Sequence, residues 1–420
     1  MHIYFSGVGG VAIGPLARIA HSMGYEVTGS NDVSTRLTDQ ISDEGISVTI
    51  GQSKENIQKT HQIKPIDWFV YTSALPNDHP ELEFVRENAI KSSKRDEFIN
   101  EILKDSNQKL IAIAGTHGKT STTAMMAWIF IKLGLPVSYS IGTSVPFGPN
   151  GVWNERSKFF IYEADEYDRN FLNFEPYLSI LVSVDYDHPD TYPSIADYKL
   201  AFKEFAEKSQ IVSTWESVAK YINYEPKNSD VTIDNPDNKL ETPIKLFGEH
   251  NRQNAHLVIQ SFEKLGLNQN INDVLNAVNE FPGTERRMEK LSDNIYTDYA
   301  HHPVEIMATL KGAKEISQKV VAVYQPHQNI RQHEIKEEYK NCFEQAEKIF
   351  WLPTYLSREN DLPIIQPQEF IDKLSNKSSA SPAELNENLA KQLIELRNNG
   401  YLIVCMSAGD LDDWARNNLA

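Results

Sequence analysis

Residues 109–121, KLIAIAGTHGKTS, constrain the fold of this chain more than any other stretch. The apolar run 110–114 suits a buried parallel strand. Gly115 and Gly118 break that run, and residues 121–133 are compatible with a helix. Strand, turn and helix in that order are the unit of α/β folds. The same order makes a phosphate cradle. Glycines let backbone N–H groups turn toward an anion, and the helix N-terminus adds its positive dipole end. Lys119 suits the outer phosphates and the Thr120 hydroxyl suits Mg2+. The phosphate-loop pattern is incomplete, because Ile113 stands six residues before Lys119 where that pattern has Gly.

Two further strand-like runs end in carboxylates. Residues 159–168 read FFIYEADEYD, and residues 179–184 lead into Asp185-Tyr186-Asp187-His188-Pro189-Asp190. Ligands of α/β sheets gather at the carboxyl ends of strands. A carboxylate there suits the Mg2+ of a bound nucleotide, and His188 suits a second metal or a proton relay. At the N-terminus, Gly7-Val8-Gly9-Gly10-Val11-Ala12 fits G-x-G-x-x-A after a strand. Asp32 follows at about the 20-residue interval of the dinucleotide fingerprint. Alone, this points to an NAD-dependent oxidoreductase. It fits equally any ligand whose diphosphate sits on a helix N-terminus.

Later constellations are residues 248–254 (GEHNRQN), Arg286-Arg287, residues 298–303 (DYAHHP) and residues 325–327 (QPH). Asn side chains donate and accept together, as an adenine edge requires. Arginine forks suit phosphates, and Asp298 suits ribose hydroxyls. Taken singly, each also reads as a cap, a turn or a surface charge.

A chain of 420 residues has room for two to four domains. Residues 100–109, NEILKDSNQK, read as a polar bridge. Residues 223–246 read as a hairpin or loop excursion, and Phe281-Pro282-Gly283 as a closing turn. The expected domains are therefore 1–105, 106–282 and 283–420. Lys plus Arg total 41 and Asp plus Glu total 58, a net charge of -17. That balance argues against nucleic acid or an anionic membrane as partner, but not against anionic small molecules in a local pocket. Cys342 and Cys405 are the only cysteines, too few for a disulfide framework or a four-thiolate zinc site. The N-terminal run lacks the pattern of a signal peptide. No apolar run approaches the ~20 residues of a membrane span. The expected compartment is the cytoplasm.

Together these motifs resemble the Mur ligase family, the ATP-dependent amide ligases of peptidoglycan precursor synthesis. The marks are GVGG at 7–10, Gly29-Ser30, Tyr71-Thr72-Ser73-Ala74, GTHGKT, EADE at 163–166, DYAHHPVEI at 298–306, QPH and MSAGD at 406–410. The resemblance is strongest to the branch that joins L-alanine to the lactyl carboxylate of UDP-N-acetylmuramate. It implies an α/β fold of three domains: a Rossmann-like UDP-binding domain, a central P-loop ATPase domain and a C-terminal Rossmann-like domain. It implies ATP and Mg2+, and a route in which ATP phosphorylates the carboxylate before the amine attacks.

By the family's pattern, Gly115, Thr116, Gly118, Lys119, Thr120 and Ser121 hold ATP phosphates. Asn251 and Asn254 face adenine, Arg287 the ATP phosphates and Asp298 the ribose. Thr120, Glu163 and His188 are the implied metal ligands. Lys119, His188 and His301 are the implied catalytic groups. Gly7, Gly9, Gly10, Asn31, Asp32 and Ser73 lie on the UDP-sugar side. Tyr299, His301, His327 and Arg331 lie near the incoming amino acid. Gln328 stands where the family has an arginine, and Glu166-Tyr167-Asp168 is closer to relatives that attach a recycled tripeptide. Attachment of a preformed peptide is therefore the alternative. Lys203, 15 residues after His188, reads as an exposed helical lysine.

Overall fold

The computed structural model describes residues 1–188, 191–233, 243–356 and 362–420. Part of the excursion expected over 223–246 lies outside the described residues, as do Pro189 and Asp190 of the run after the second carboxylate strand. Two compact units divide the chain. One is Met1–Ile244 with Gln253–Pro282; the other is Lys245–Arg252 with Gly283–Ala420.

The first unit holds two sheets. β1 (His2–Ser6), β2 (Glu26–Asn31), β3 (Ser47–Ile50), β4 (Trp68–Tyr71) and β5 (Lys91–Lys94) form a parallel sheet in the order β3-β2-β1-β4-β5. The strand order reverses at β1, which pairs with β2 on one side and β4 on the other. A crevice opens at the carboxyl end of such a point.

The second sheet comprises β6 (Lys109–Ala114), β7 (Ser138–Ser140), β8 (Gly151–Val152), β9 (Phe159–Glu163), β10 (Leu178–Leu181), β11 (Ile211–Trp215) and β12 (Val231–Ile233). Its order is β12-β11-β10-β6-β9-β7-β8, and β8 alone runs antiparallel to its neighbour. β6 lies centrally between β10 and β9. Its residues 110–114 are buried, as its unbroken apolar run requires.

The two sheets share one apolar core. Phe5, Phe98 and Trp68 from the first continue into Phe160, Phe171 and Phe202 of the second. Through that continuity the stretches expected as the domains 1–105 and 106–282 pack against each other within the first unit. The contact also reaches the backbone. A Cβ built on Gly151 would lie 2.1 Å from the Pro15 carbonyl oxygen and 2.6 Å from its Cα. Neither atom belongs to a side chain that can rotate away. Gly151→Ala is therefore expected to destabilise the protein by about 3 kcal/mol, at the upper end of overpacking costs. A urea midpoint equal to wild type would contradict this.

Residues 100–109 differ from the polar bridge expected of them. A helix runs from Arg95 to Lys104 and buries Phe98, Ile99 and Ile102. Three apolar side chains at helical spacing outweighed the polar residues between them.

The second unit holds β13 (Glu289–Ser292), β14 (Ile295–Asp298), β15 (Val320–Gln325), β16 (Lys348–Trp351), β17 (Ala380–Pro382) and β18 (Leu402–Ser407). The order is β13-β14-β18-β15-β16-β17, parallel except for β13. Val320, Ala322 and Tyr324 pack one face of β15, while Val321 and Val323 pack the other. Both cysteines are buried and free, and burial pushes each thiol up to about 12. Lys203 is half-exposed on a helix and lies 3.8 Å from Glu207.

Candidate functional site

The loop after β6 is held by the chain that leaves β10. Thr116 N–H donates to the Ser183 carbonyl (2.9 Å), and His117 N–H to Ser183 Oγ (3.0 Å). Thr116 Oγ1 donates to the Asp185 carbonyl (2.7 Å) and accepts from Asp185 N–H (2.8 Å). The Thr116 hydroxyl, expected at ATP, thus braces the loop. Gly118 has φ +84, and a Cβ there would meet Asn254 Nδ2 at 2.8 Å. The helix Lys119–Lys132 starts at Gly118 with no side-chain cap, and its first i→i−4 bond runs from Thr122 N–H to the Gly118 carbonyl. The N–H groups of its first turn have no acceptor within the helix. An uncapped, glycine-lined N-terminus fits a phosphate. Ser121 is buried in that turn.

Lys119 folds across the loop. Its Nζ donates to the Gly115 carbonyl (2.5 Å) and lies 2.8 Å from Glu166 Oε2 and 3.0 Å from Oε1. Burial opposes the ammonium charge, but Glu166, Asp165 and Glu163 together hold the Lys119 pKa above its ordinary value. Lys119 therefore stays charged. Asp165 is likewise opposed by burial, and Arg95 and Lys119 keep its carboxyl below the usual range.

The three expected metal ligands divide into two places. Thr120 Oγ1 donates to Glu163 Oε1 at 2.9 Å. His188 instead faces Glu166, with Nε2 3.8 Å from Oε1. Glu166 is 1% exposed and was missed as a site residue. Its signal is the second glutamate of EADE, three residues after Glu163. No group of three or more His, Cys, Asp or Glu side chains able to hold a metal occurs among the described residues. Thr120 with Glu163, and His188 with Glu166, are donors that fit Mg2+ brought with a nucleotide, because Mg2+ takes one or two carboxylates and fills its shell with phosphates and water.

In the first sheet, Gly7, Gly9 and Gly10 follow β1. Gly7 has φ +85. Gly9 N–H donates to Asn31 Oδ1 (3.0 Å), and Asn31 Nδ2 donates to the Val33 carbonyl (2.8 Å). A Cβ on Gly9 would collide with Asn31 at 2.5 Å. Asn31 at the end of β2 thus shapes the glycine loop. Asp32 is exposed. Ser73, two residues beyond β4, accepts a long bond from Asn170 (3.4 Å). Beneath them, buried Glu81 accepts from Tyr4 (2.8 Å) and Ser6 (2.6 Å), a cluster with no sequence signal.

The helix Glu249–Glu263 carries both asparagines. Asn254 belongs to the first unit, beside Gly118. Asn251 belongs to the second, where its Nδ2 donates to the Phe247 carbonyl (3.0 Å).

In the second unit, Asp298 ends β14 and is buried. It accepts from Met288 N–H (2.7 Å), Ala300 N–H (2.8 Å) and Thr309 Oγ1 (3.2 Å). Its carboxylate anchors the turn that presents Tyr299 and His301. The Arg287 guanidinium lies 5.3 Å from the Tyr299 ring centroid and 3.9 Å from Glu305. His301 Nδ1 lies 3.0 Å from the Tyr299 carbonyl and 3.3 Å from Glu305. Burial holds the His301 pKa below its ordinary value, with Arg331 adding to the effect and Glu305 opposing it. A neutral imidazole results, able to accept a proton. His327 lies edge-on to His301 at 6.1 Å and stacks on Tyr355 at 5.8 Å. Gln328 follows with φ +63 and donates its N–H to the Tyr355 carbonyl (2.9 Å). Tyr355 is the missed member of this cluster, brought in by an isolated β-bridge to His327.

Family models match three successive stretches. They are the Mur ligase family catalytic domain (residues 2–107), the Mur ligase middle domain (113–215) and the Mur ligase glutamate ligase domain (286–409). A UDP-N-acetylmuramate–L-alanine ligase of Clostridium botulinum strain Hall is 31% identical, over 98% of this chain and 95% of that protein. The ligase of the same name from Clostridium perfringens strain 13 is 30% identical, over 97% and 95%. The crystal structure of a UDP-N-acetylmuramate-alanine ligase from Thermotoga maritima superposes with a TM-score of 0.80 at 25% identity, covering 100% of this chain and 98% of that one. A murein peptide ligase from Psychrobacter arcticus shares the fold at TM-score 0.69 and 23% identity, with the same coverage. With relatives matched end to end and three family domains in sequence, this chain belongs to the Mur ligase family.

Proposed function

We propose that this chain is an ATP-dependent ligase that joins L-alanine to the lactyl carboxylate of UDP-N-acetylmuramate. The observation that carries the assignment is its relationship, across 98% of its length, to ligases of that name. The three sheets supply three roles, with boundaries near 105 and 282. The glycine loop with Asn31 is the UDP diphosphate site, and Asp32 and Ser73 lie at its rim. The loop with Lys119 is the ATP phosphate site. The cluster of Tyr299, His301, His327 and Arg331 receives the amino acid.

A carboxylate is a poor electrophile. Transfer of the γ-phosphoryl group to it forms an acyl phosphate and gives the amine a leaving group to displace. Lys119 neutralises charge that builds on the transferred phosphoryl group. In this reading His301, neutral and buried, accepts the proton that the amine loses on attack. Mg2+ would be held by Thr120 with Glu163 and by His188 with Glu166, and when bound it supplies charge neutralisation at the phosphates. Among the described residues no helix is long and apolar enough to cross a membrane, and the cytoplasm remains the proposed compartment.

The test is an acceptor panel. Protein, UDP-N-acetylmuramate, ATP and Mg2+ are offered L-alanine, glycine, L-serine or the recycled tripeptide, and product mass and phosphate are measured. L-alanine is expected to give the highest kcat/KM. Turnover with the tripeptide alone would move the assignment to the peptide-adding branch, and no turnover with any acceptor would overturn it. The oxidoreductase reading used only the N-terminal glycines and leaves GTHGKT, EADE and DYAHHP without a role.

A further inference from the structure

We propose that Arg95 is a positioning residue for the phosphate site, acting from the helix after β5 through Asp165 on Glu166. The proposal deepens the ligase reading and rests on it.

Three consecutive residues at the start of the helix Arg95–Lys104 grip one turn of the second sheet's domain. Lys94 Nζ donates to Asp168 Oδ2 (2.7 Å), and Arg95 Nη2 to Asp165 Oδ2 (2.6 Å). Asp96 accepts from Asn173 Nδ2, and Asn100 Nδ2 donates to the Asn173 carbonyl (2.7 Å). The gripped turn contains two successive left-handed residues, Asp168 at φ +54 and Arg169 at φ +57. Non-glycine residues persist in that conformation only where surrounding contacts over-determine it.

Arg95 differs from Lys94. The Lys94–Asp168 pair is solvent-exposed, and such pairs contribute little. Arg95 is 13% exposed and Asp165 30%, so their pair is better shielded from solvent than Lys94–Asp168. Asp165 is then fixed at three atoms: Oδ2 by Arg95, Oδ1 by Tyr167 N–H (3.1 Å), and its carbonyl by Phe171 N–H (3.1 Å). The next residue is Glu166, whose carbonyl accepts from Tyr192 (2.6 Å) and whose carboxylate meets Lys119 and His188.

Charge gives Arg95 a second effect. Glu163, Asp165 and Glu166 all act on Lys119. Arg95 takes up Asp165, which leaves the ammonium to Glu166 and to an incoming phosphate. Without Arg95, Asp165 competes for Lys119 and the turn loses its ion-pair anchor at Asp165.

The experiment compares Arg95→Met, Arg95→Lys and Asp165→Asn with wild type in the full chain. Calorimetry measures affinity for the non-hydrolysable imidodiphosphate analogue of ATP with Mg2+, and steady-state kinetics separates kcat from the KM for L-alanine. Arg95→Met is expected to weaken the analogue about tenfold and lower kcat about 10- to 100-fold, the scale of a small misplacement at a reacting centre. The KM for L-alanine is expected to stay within about twofold, because that contact lies elsewhere, and Arg95→Lys to recover most of both losses. Should Arg95→Met not fold, Asp165→Asn is read in its place; it breaks the ion pair but also removes the charge that competes for Lys119, so losses in the same direction and of smaller size are expected. Wild-type analogue affinity and kcat in folded Arg95→Met or Asp165→Asn would overturn the proposal, as would a lower unfolding midpoint with neither quantity changed. If wild type binds the analogue but forms no amide, the ligase reading fails, while the affinity comparison still decides the role of Arg95.

Discussion

Lys119→Ala is expected to lower ligase turnover by about 10³-fold, the scale of losing a principal charge stabiliser at a reacting centre. The same substitution is expected to cost stability. Lys119 is 14% exposed and its partner Glu166 is 1% exposed, so alanine leaves a buried carboxylate without its cation. Removing one partner of a buried pair costs about 3 kcal/mol. The two effects separate in the double variant. Lys119→Ala with Glu166→Gln removes both charges and is expected to regain most of the unfolding midpoint while turnover stays low. Chemical denaturation and phosphate release on the three proteins check this. Wild-type turnover in Lys119→Ala would show that the loop after β6 does not hold the reacting phosphate. A double variant as unstable as the single one would show that the Lys119–Glu166 pair is not what the lysine stabilises.

Glu166→Gln carries the second large expectation, a fall in kcat of about 10²-fold with a raised Mg2+ requirement. Glutamine keeps the shape but removes the charge that faces Lys119 and His188. One oxygen acceptor remains, and it coordinates a hard cation more weakly than a carboxylate does. A kcat titration against Mg2+ is the measurement. Glu163→Gln is the companion: it leaves the Lys119 partner in place and weakens the contact to Thr120. Wild-type kcat and Mg2+ dependence in Glu166→Gln would show that the buried acid only supports the fold.

The phosphate loop was legible in the sequence because each part is local. The apolar strand, the two glycines and the Lys-Thr pair lie within twelve residues of one another, and backbone geometry follows from composition there. The glycine loop after β1 was legible for the same reason. The role of Asn31 was legible only as a position, since the bond to Gly9 spans 22 residues and depends on β1 and β2 being adjacent. Glu166 was not separable from Glu163 by pattern. Which acid meets Lys119 depends on the fold around it: Glu166 pairs with Lys119, while Glu163 accepts from Thr120. The grip of residues 94–96 on 165–173 was also invisible, because it joins residues some 70 positions apart. The helix over 95–104 was hidden by its polar surface, although Phe98, Ile99 and Ile102 carry the helical spacing in plain view.

The most direct test of the account is the fate of the carboxylate oxygen. UDP-N-acetylmuramate labelled with 18O in both lactyl carboxylate oxygens is incubated with the protein, ATP, Mg2+ and L-alanine, and the phosphate released is examined by mass spectrometry. Attack on an acyl phosphate forms the amide and expels phosphate with one carboxylate oxygen attached. The account therefore predicts one 18O atom per phosphate released, with one retained in the amide carbonyl. Amide formation with unlabelled phosphate would contradict it.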